Sequence, residues 1–317
     1  MARTRAAREN PVDRFSRFAA PVAFLTLGLI WGSSFLWIKI AVDELPAATV
    51  VAQRLTIGFV CMAVFMVLVR MGLPRTPREL VPLAVMGLLN GAAPYLLITW
   101  GEEVVDSATA AVLNSLTPIF SLVIAGLLLR TEPVTFLRVF GLIVGFAGAA
   151  LLATREFELR DDPAGLVGAG AVVLAAVSYA VAASYARYSM RVTHRYVVAT
   201  GTSLFGALFI WPLALISDGI RLPTQPDTLL AVVWLGVLGA FVAYLLYFYL
   251  IAELGATVAS MVTYVFPVVG LALGVVVLGE LLDVRLVIGT ALVLAGIGIV
   301  SLRYDAAVRR AARGRNA

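Results

Sequence analysis

The sequence predicts an all-α integral membrane protein: ten transmembrane helices arranged as two inverted five-helix repeats. Three observations lead there. Of 317 residues, 61% are hydrophobic and 14% charged, with mean hydropathy +0.97; soluble domains average about 45–50% apolar and about 25% charged. The apolar residues gather into ten runs of spanning length. The two halves of the chain also echo each other at an offset near 148 residues.

A helix needs about 20 apolar residues to cross the hydrocarbon core. The runs lie at 19–41, 46–69, 81–100, 107–129, 137–153, 164–186, 196–217, 229–251, 257–278 and 286–302. Lipid offers backbone groups no partners, so the runs must be helical. They lack the alternation of transmembrane strands, which span in about 10 residues. The first run exceeds the roughly 7–15 residues of a signal-peptide core and is read as a retained helix. Small-residue stripes run through the fifth span (Gly141, Gly145, Gly148), the ninth (Gly270, Gly274) and the tenth (Gly289, Gly296, Gly298). Such stripes let backbones approach closely. They are read as helix packing, with dimerisation as the alternative.

Arginines set the orientation. With both termini on one side, that side collects Arg3, Arg5, Arg8, Arg14, Arg17, Arg70, Arg75, Arg78, Arg130, Arg138, Arg187, Arg191, Arg195 and the C-terminal Arg303, Arg309, Arg310, Arg313 and Arg315, 18 in all. The other side holds only Arg155, Arg160, Arg221 and Arg285, while Lys39 and Arg54 fall within spans. This split places both termini in the cytoplasm of a plasma-membrane protein. The net charge of +5 reports topology and contact with anionic lipid, not nucleic-acid binding.

The repeat units are 19–153 and 164–302. Glu132 pairs with Glu280, Gly141 with Gly289 and Gly148 with Gly296, while Pro118 pairs with Pro267 one residue out of step. Five spans per unit turn the second copy upside down. The acidic first loop of one half, Asp43-Glu44, then answers the basic Arg191–Arg195 of the other. Inverted repeats are a common construction of secondary transporters, with the solute site near mid-membrane. Residues 1–18 and 303–317 are read as flexible cytoplasmic tails.

The run Trp31-Gly32-Ser33-Ser34-Phe35-Leu36-Trp37-Ile38-Lys39 resembles the first-helix signature of the EamA-type drug/metabolite transporters. Arg54 resembles the arginine of that family's second helix. Ser107–Ala111, Pro118 and Glu132 resemble its fourth helix and following loop, and Ala256–Ser260, Pro267 and Gly279-Glu280 repeat the pattern in the ninth. Thr131 departs from it, standing where the second half has Gly279. The resemblance implies ten helices, cytoplasmic termini and transport of small metabolites, often outward.

Ionisable residues within a membrane default to functional candidates. Arg54 lies eight residues into its span, about 12 Å deep, and either faces a wet cavity and an anionic solute or is pinned to backbone carbonyls. Lys39 either snorkels or lines a gate. No Asp or Glu is expected deep in a span. A positive interior favours a solute bearing a carboxylate, and facilitated or exchange transport over a proton relay. Glu132 and Glu280 are expected to complement the dipole of the helix that follows each, with gating as the other reading. Pro118 and Pro267, expected mid-helix, are bending points or static kinks. Trp31, Ser34, Asn90, Tyr95, Asn114, Tyr179, Tyr244 and Tyr264 are candidates for a pocket wall, or for ordinary helix packing.

One cysteine, Cys61, and one histidine, His194, leave no material for a disulfide, a Cys/His metal centre or a Ser-His-Asp triad. No metal or cofactor is expected. An integral-membrane enzyme acting on lipid would need a motif such as H-E-x-x-H or G-x-S-x-G, which the chain lacks. A non-transporting sensor is the third reading. The expected partners are a small-molecule solute and the bilayer; the oligomeric state stays open.

Overall fold

The computed structural model describes residues 11–124, 136–160, 162–217, 219–255 and 259–314. Every regular element among them is helical. In chain order these are α1 (Pro11–Val42), α2 (Ala47–Leu68), α3 (Pro77–Met86), a π-helical turn (Gly87–Ala92), α4 (Ala93–Glu102), α5 (Ser107–Asn114), α6 (Thr117–Val123), α7 (Phe136–Arg160) and α8 (Pro163–Val192). There follow α9 (Arg195–Ser217), α10 (Pro226–Gly236), a second π-helical turn (Val237–Val242), α11 (Ala243–Leu254), a 3-10 turn (Met261–Val265), α12 (Phe266–Val277) and α13 (Val284–Gly314).

Among the described residues, seven helical stretches are long and apolar enough to span a membrane, and two shorter apolar ones cover Met261–Val277 and Val284–Ile299. Large apolar side chains stay exposed along them, among them Leu25, Val64, Leu174, Leu208 and Ile288. In water such a surface would aggregate; in lipid it is the expected exterior. The chain is a multi-pass membrane protein.

Four boundaries differ from expectation. The fourth span breaks at Ser115-Leu116, and its end beyond residue 124 lies outside the described residues, with Glu132 and Thr131. The fifth helix extends to Arg160, carrying Arg155 and Glu156 with it although both read as loop residues. Residues 11–18 and 303–314, expected as flexible tails, continue the first and last helices. Pro118 and Pro267 are not mid-helix: each occupies the first turn of a new segment, α6 and α12. There the absent N–H costs nothing and the fixed φ suits a helix start.

The bundle holds two apolar cores. One takes Ala23, Leu27 and Ile30 of α1, with side chains from α2, α8, α9 and α11. The other takes Phe35, Ile38 and Ala41 of the same helix, with α5, α7, α10 and α13. They therefore lie at opposite ends of α1. Trp31 and Tyr179, paired by the 148-residue offset, each pack against both.

Helices α7 and α13 run in close contact, and the glycine stripes explain how. A Cβ on Gly148 would stand 2.7 Å from the Gly289 carbonyl, and one on Gly296 would stand 2.5 Å from the Gly145 nitrogen. Both stripes are thus spent inside one chain. Gly298 faces open space instead. Gly296→Leu should therefore cost about 1–3 kcal/mol through overpacking, while Gly298→Ala should change little. Unfolding of the detergent-solubilised protein measures both, and equal stabilities would contradict this interface.

One end of the bundle is tied by polar contacts. Glu44 accepts from the Thr224 hydroxyl and N–H, both at 2.6 Å, and from the Gln225 N–H at 3.2 Å. Those bonds, the Thr224 hydroxyl first, hold its carboxyl down at about 2. Arg155, 1% exposed, donates to Asp283 at 2.7 Å, Glu156 at 2.7 Å, Asp106 at 3.1 Å and the Leu281 carbonyl at 2.8 Å. Arg285 pairs with Glu158 nearby. At the end bearing residues 191–195 and 251–255, Arg195 pairs with Glu253 at 3.8 Å.

Candidate functional site

Between the two cores lies a narrow cavity of about 40 Å³. Seven of the expected residues meet on its wall: Trp31, Ser34, Arg54, Asn90, Tyr95, Asn114 and Tyr179. They come from α1, α2, the first π turn, α4, α5 and α8. Arg54 is the one charged residue of the lining. Its guanidinium lies 3.8 Å from the centroid of the Tyr95 ring, and Nη2 donates to the Gly239 carbonyl at 3.1 Å. Both readings of Arg54 therefore meet in one geometry: it is held by a carbonyl and still lines a cavity.

The two π turns create the anchors. A π turn widens the helix by one residue and diverts backbone carbonyls from the regular ladder. The Gly239 carbonyl accepts from Trp31 Nε1 at 3.0 Å, Arg54 Nη2 at 3.1 Å and Tyr95 Oη at 3.2 Å. The Asn90 carbonyl accepts from Tyr244 Oη at 2.9 Å, and that of Leu89 from Ser178 Oγ at 2.8 Å. Tyr95 and Tyr244 thus exchange hydrogen bonds across the halves, each onto the other half's π turn. Their rings stack at 6.2 Å and 22°.

Tyr244 and Tyr264 do not line the cavity. Tyr244 is fully buried behind Tyr95, and Tyr264 is half-buried against the second core. Tyr247 takes the expected place of Tyr244, 5.2 Å from Trp31. Both tyrosines are polar aromatics in the same apolar helix, α11, and hydropathy does not say which of them faces inward. Ser260 and Thr263 also line the wall without having been foreseen. Thr263 is the counterpart of Asn114 at the proline pair's offset, so symmetry held the signal. Both residues sit where a span breaks before its proline. Thr117 and Thr263 each bond back to a carbonyl three residues earlier, at 2.8 and 3.0 Å. Asn90 Nδ2 and Oδ1, Asn114 Oδ1 and Arg54 Nε have no protein partner, so the wall offers both amide and cationic groups to a solute.

Lys39 and Glu280, read as gating or structural residues, both bond to backbone groups. Lys39 does not snorkel: its Nζ donates to the carbonyls of Glu102 and Val105, at 2.6 and 3.1 Å, closing the end of α4. Glu280 does not serve its own following helix. It accepts from the Ser107 and Ala108 N–H groups, at 2.6 and 2.9 Å, at the start of α5. Gly279, at φ +69°, makes the turn that brings it there, with Glu280 N donating to the Gly274 carbonyl at 3.0 Å. Two buried carboxylates were not foreseen: Glu102 and Glu156 are 0% exposed, at the last residue of α4 and near the end of α7.

The EamA-like transporter family matches residues 19–154 and again 166–302. An uncharacterized transporter of Archaeoglobus fulgidus is 30% identical over 85% of this chain and 94% of its own length. A protein of Streptantibioticus cattleyicolor described as a probable terminal-alkyne amino-acid exporter is 29% identical, over 86% and 90%. An uncharacterized inner membrane transporter of Escherichia coli is 28% identical, over 82% and 83%. A solved crystal structure with 22% identity matches the fold at a TM-score of 0.66, covering 90% of this chain and 96% of that one.

Proposed function

Because the chain belongs to the EamA-like transporter family, we propose that it exports small polar metabolites, amino acids among them, by alternating access through the central cavity. The observation that carries this is the cavity itself: mid-height on α1, walled from both halves, with Arg54 as its single charge. A lone cation among aromatic and amide groups suits a solute with a carboxylate and an apolar body. The amino-acid exporter among the relatives supports both the solute class and the direction.

The carrier has ten spans in two inverted repeats, 19–153 and 164–302. The exchanged Tyr95 and Tyr244 bonds support this. Donors and acceptors both correspond at one offset of 149 residues, as a two-fold axis in the membrane plane requires. Both termini lie in the cytoplasm and the protein sits in the plasma membrane, supported by the arginine split and by the inner membrane relative. Residues 191–195 and 251–255 lie at the cytoplasmic mouth in this arrangement.

Purified protein in proteoliposomes should move members of a radiolabelled amino-acid mixture, and the solutes it moves should raise its thermal stability. Stability and flux unaffected by every amino acid would overturn the substrate class. In a Cys61→Ser background, cysteines at the exposed positions Asp43 and His194 should react from opposite faces of intact cells. Reaction from one face would overturn the inverted arrangement.

A further inference from the structure

Glu102 is the buried acid for which solute binding gives no role. It ends α4, is 0% exposed, and neither carboxylate oxygen has a hydrogen-bond partner among the described residues. It stands four residues after Ile98 and seven after Tyr95, both on the cavity wall. The three share one stripe of α4, which runs from the cavity wall to the buried carboxyl one turn beyond it. The charges acting on it are Lys39 from α1, Glu280 from the turn after α12, and Arg54 from α2. On its own loop, Glu103 accepts from the Ala47 N–H and Asp106 pairs with Arg155. From α8, Gly168 and Val172 pack against Gly101, and the tyrosine of that helix nearest the stripe, Tyr179, lies against Tyr95. Among described residues, α5 carries no titratable side chain.

Lys39 is the natural counter-ion, but its ammonium is already bonded to two backbone carbonyls. An ionised carboxylate buried without a donor is costly, and a proton removes that cost. We propose that Glu102 binds and releases the proton coupled to solute movement, an inference that rests on the carrier function above. In the closed arrangement the proton stays on a carboxylate oxygen. When the bundle opens at the α4 end, the outer end in this arrangement, the carboxylate beside Lys39 takes a proton from water there as solute leaves. When it opens at the opposite side, the proton leaves through the cavity to water there, so that it moves inward as solute moves out. Only the O–H bond breaks and forms. The stripe Tyr95–Ile98–Glu102 links this event to the cavity, because whatever tilts α4 moves all three residues together.

The test uses the full protein in proteoliposomes with the radiolabelled amino-acid mixture. A pH gradient of about one unit should shift the steady-state solute ratio by up to about tenfold for each coupled proton. Glu102→Gln should lose that shift while keeping solute exchange at equal pH. A response in Glu102→Gln equal to wild type would overturn the proposal. A second measurement needs no solute: infrared spectra of the protein in lipid should show a protonated-carboxyl band that Glu102→Gln lacks. Superimposable spectra at every pH where the protein stays folded would also overturn it. If the band is present and no amino acid moves, the proton site stands and the proposed solute class fails.

Discussion

Arg54→Ala is expected to weaken binding of carboxylate solutes by about tenfold to a hundredfold, and to slow their flux, while leaving the protein folded. Arg54 is 2% exposed and is the one charged group on the cavity wall. A charge-assisted hydrogen bond contributes about 1.5–3 kcal/mol, so its loss weakens binding by about tenfold to a hundredfold. The structural side of Arg54 is smaller: one bond to the Gly239 carbonyl and the stack on Tyr95. That carbonyl keeps Trp31 and Tyr95 as donors, so the π turn retains its anchors. Arg54→Lys should rescue only partly, since an ammonium keeps the charge but loses the planar face and the fork of donors. Solute-induced thermal shift and proteoliposome flux read the effect. A variant that unfolds, or one that transports normally, would make Arg54 a packing residue.

The largest effect on stability is expected from Arg155→Ala. Its guanidinium is buried among Asp106, Glu156 and Asp283, and Glu156 is itself 0% exposed. Removing one partner of a buried pair costs about 3–5 kcal/mol, because the remaining charge is left without compensation. Here the cost falls mainly on Glu156, since the Asp106 and Asp283 side chains are 22% and 37% exposed. Arg155→Ala with Glu156→Gln should therefore recover part of the loss. A double-mutant cycle in apparent melting temperature measures that coupling. Simple additivity would show that the two side chains do not act together. The site joins α7 to the start of α5 and the turn before α13, so its loss should also loosen the tied end of the bundle.

The contrast between Glu102 and Arg155 shows how far hydropathy reaches. Both lie where an apolar run gives way to polar residues, and a count of apolar residues assigns both to loops. Whether such a residue is wet depends on what packs over it, which is long-range information. The same holds for Glu280: the left-handed Gly279 before it is legible locally, but the helix start that it meets lies 173 residues away. Tyr247 on the wall in place of Tyr244 has a different origin. Both lie on α11, and which of them faces the cavity depends on the helices packed around it.

The sequence by itself determined the class of the protein. Length and apolarity of the runs fix helices in lipid, because an unpaired backbone cannot lie there. It also pointed to part of the cavity wall, because polar and aromatic residues in an apolar helix need a reason to be there, and seven of the sixteen lining residues were among those expected. Only the tertiary structure decided which carbonyls hold Arg54, which tyrosine faces the cavity and which acids are buried. Those outcomes depend on partners distant in the chain, and the free energy of a buried polar group is set by its partners rather than by its own chemistry.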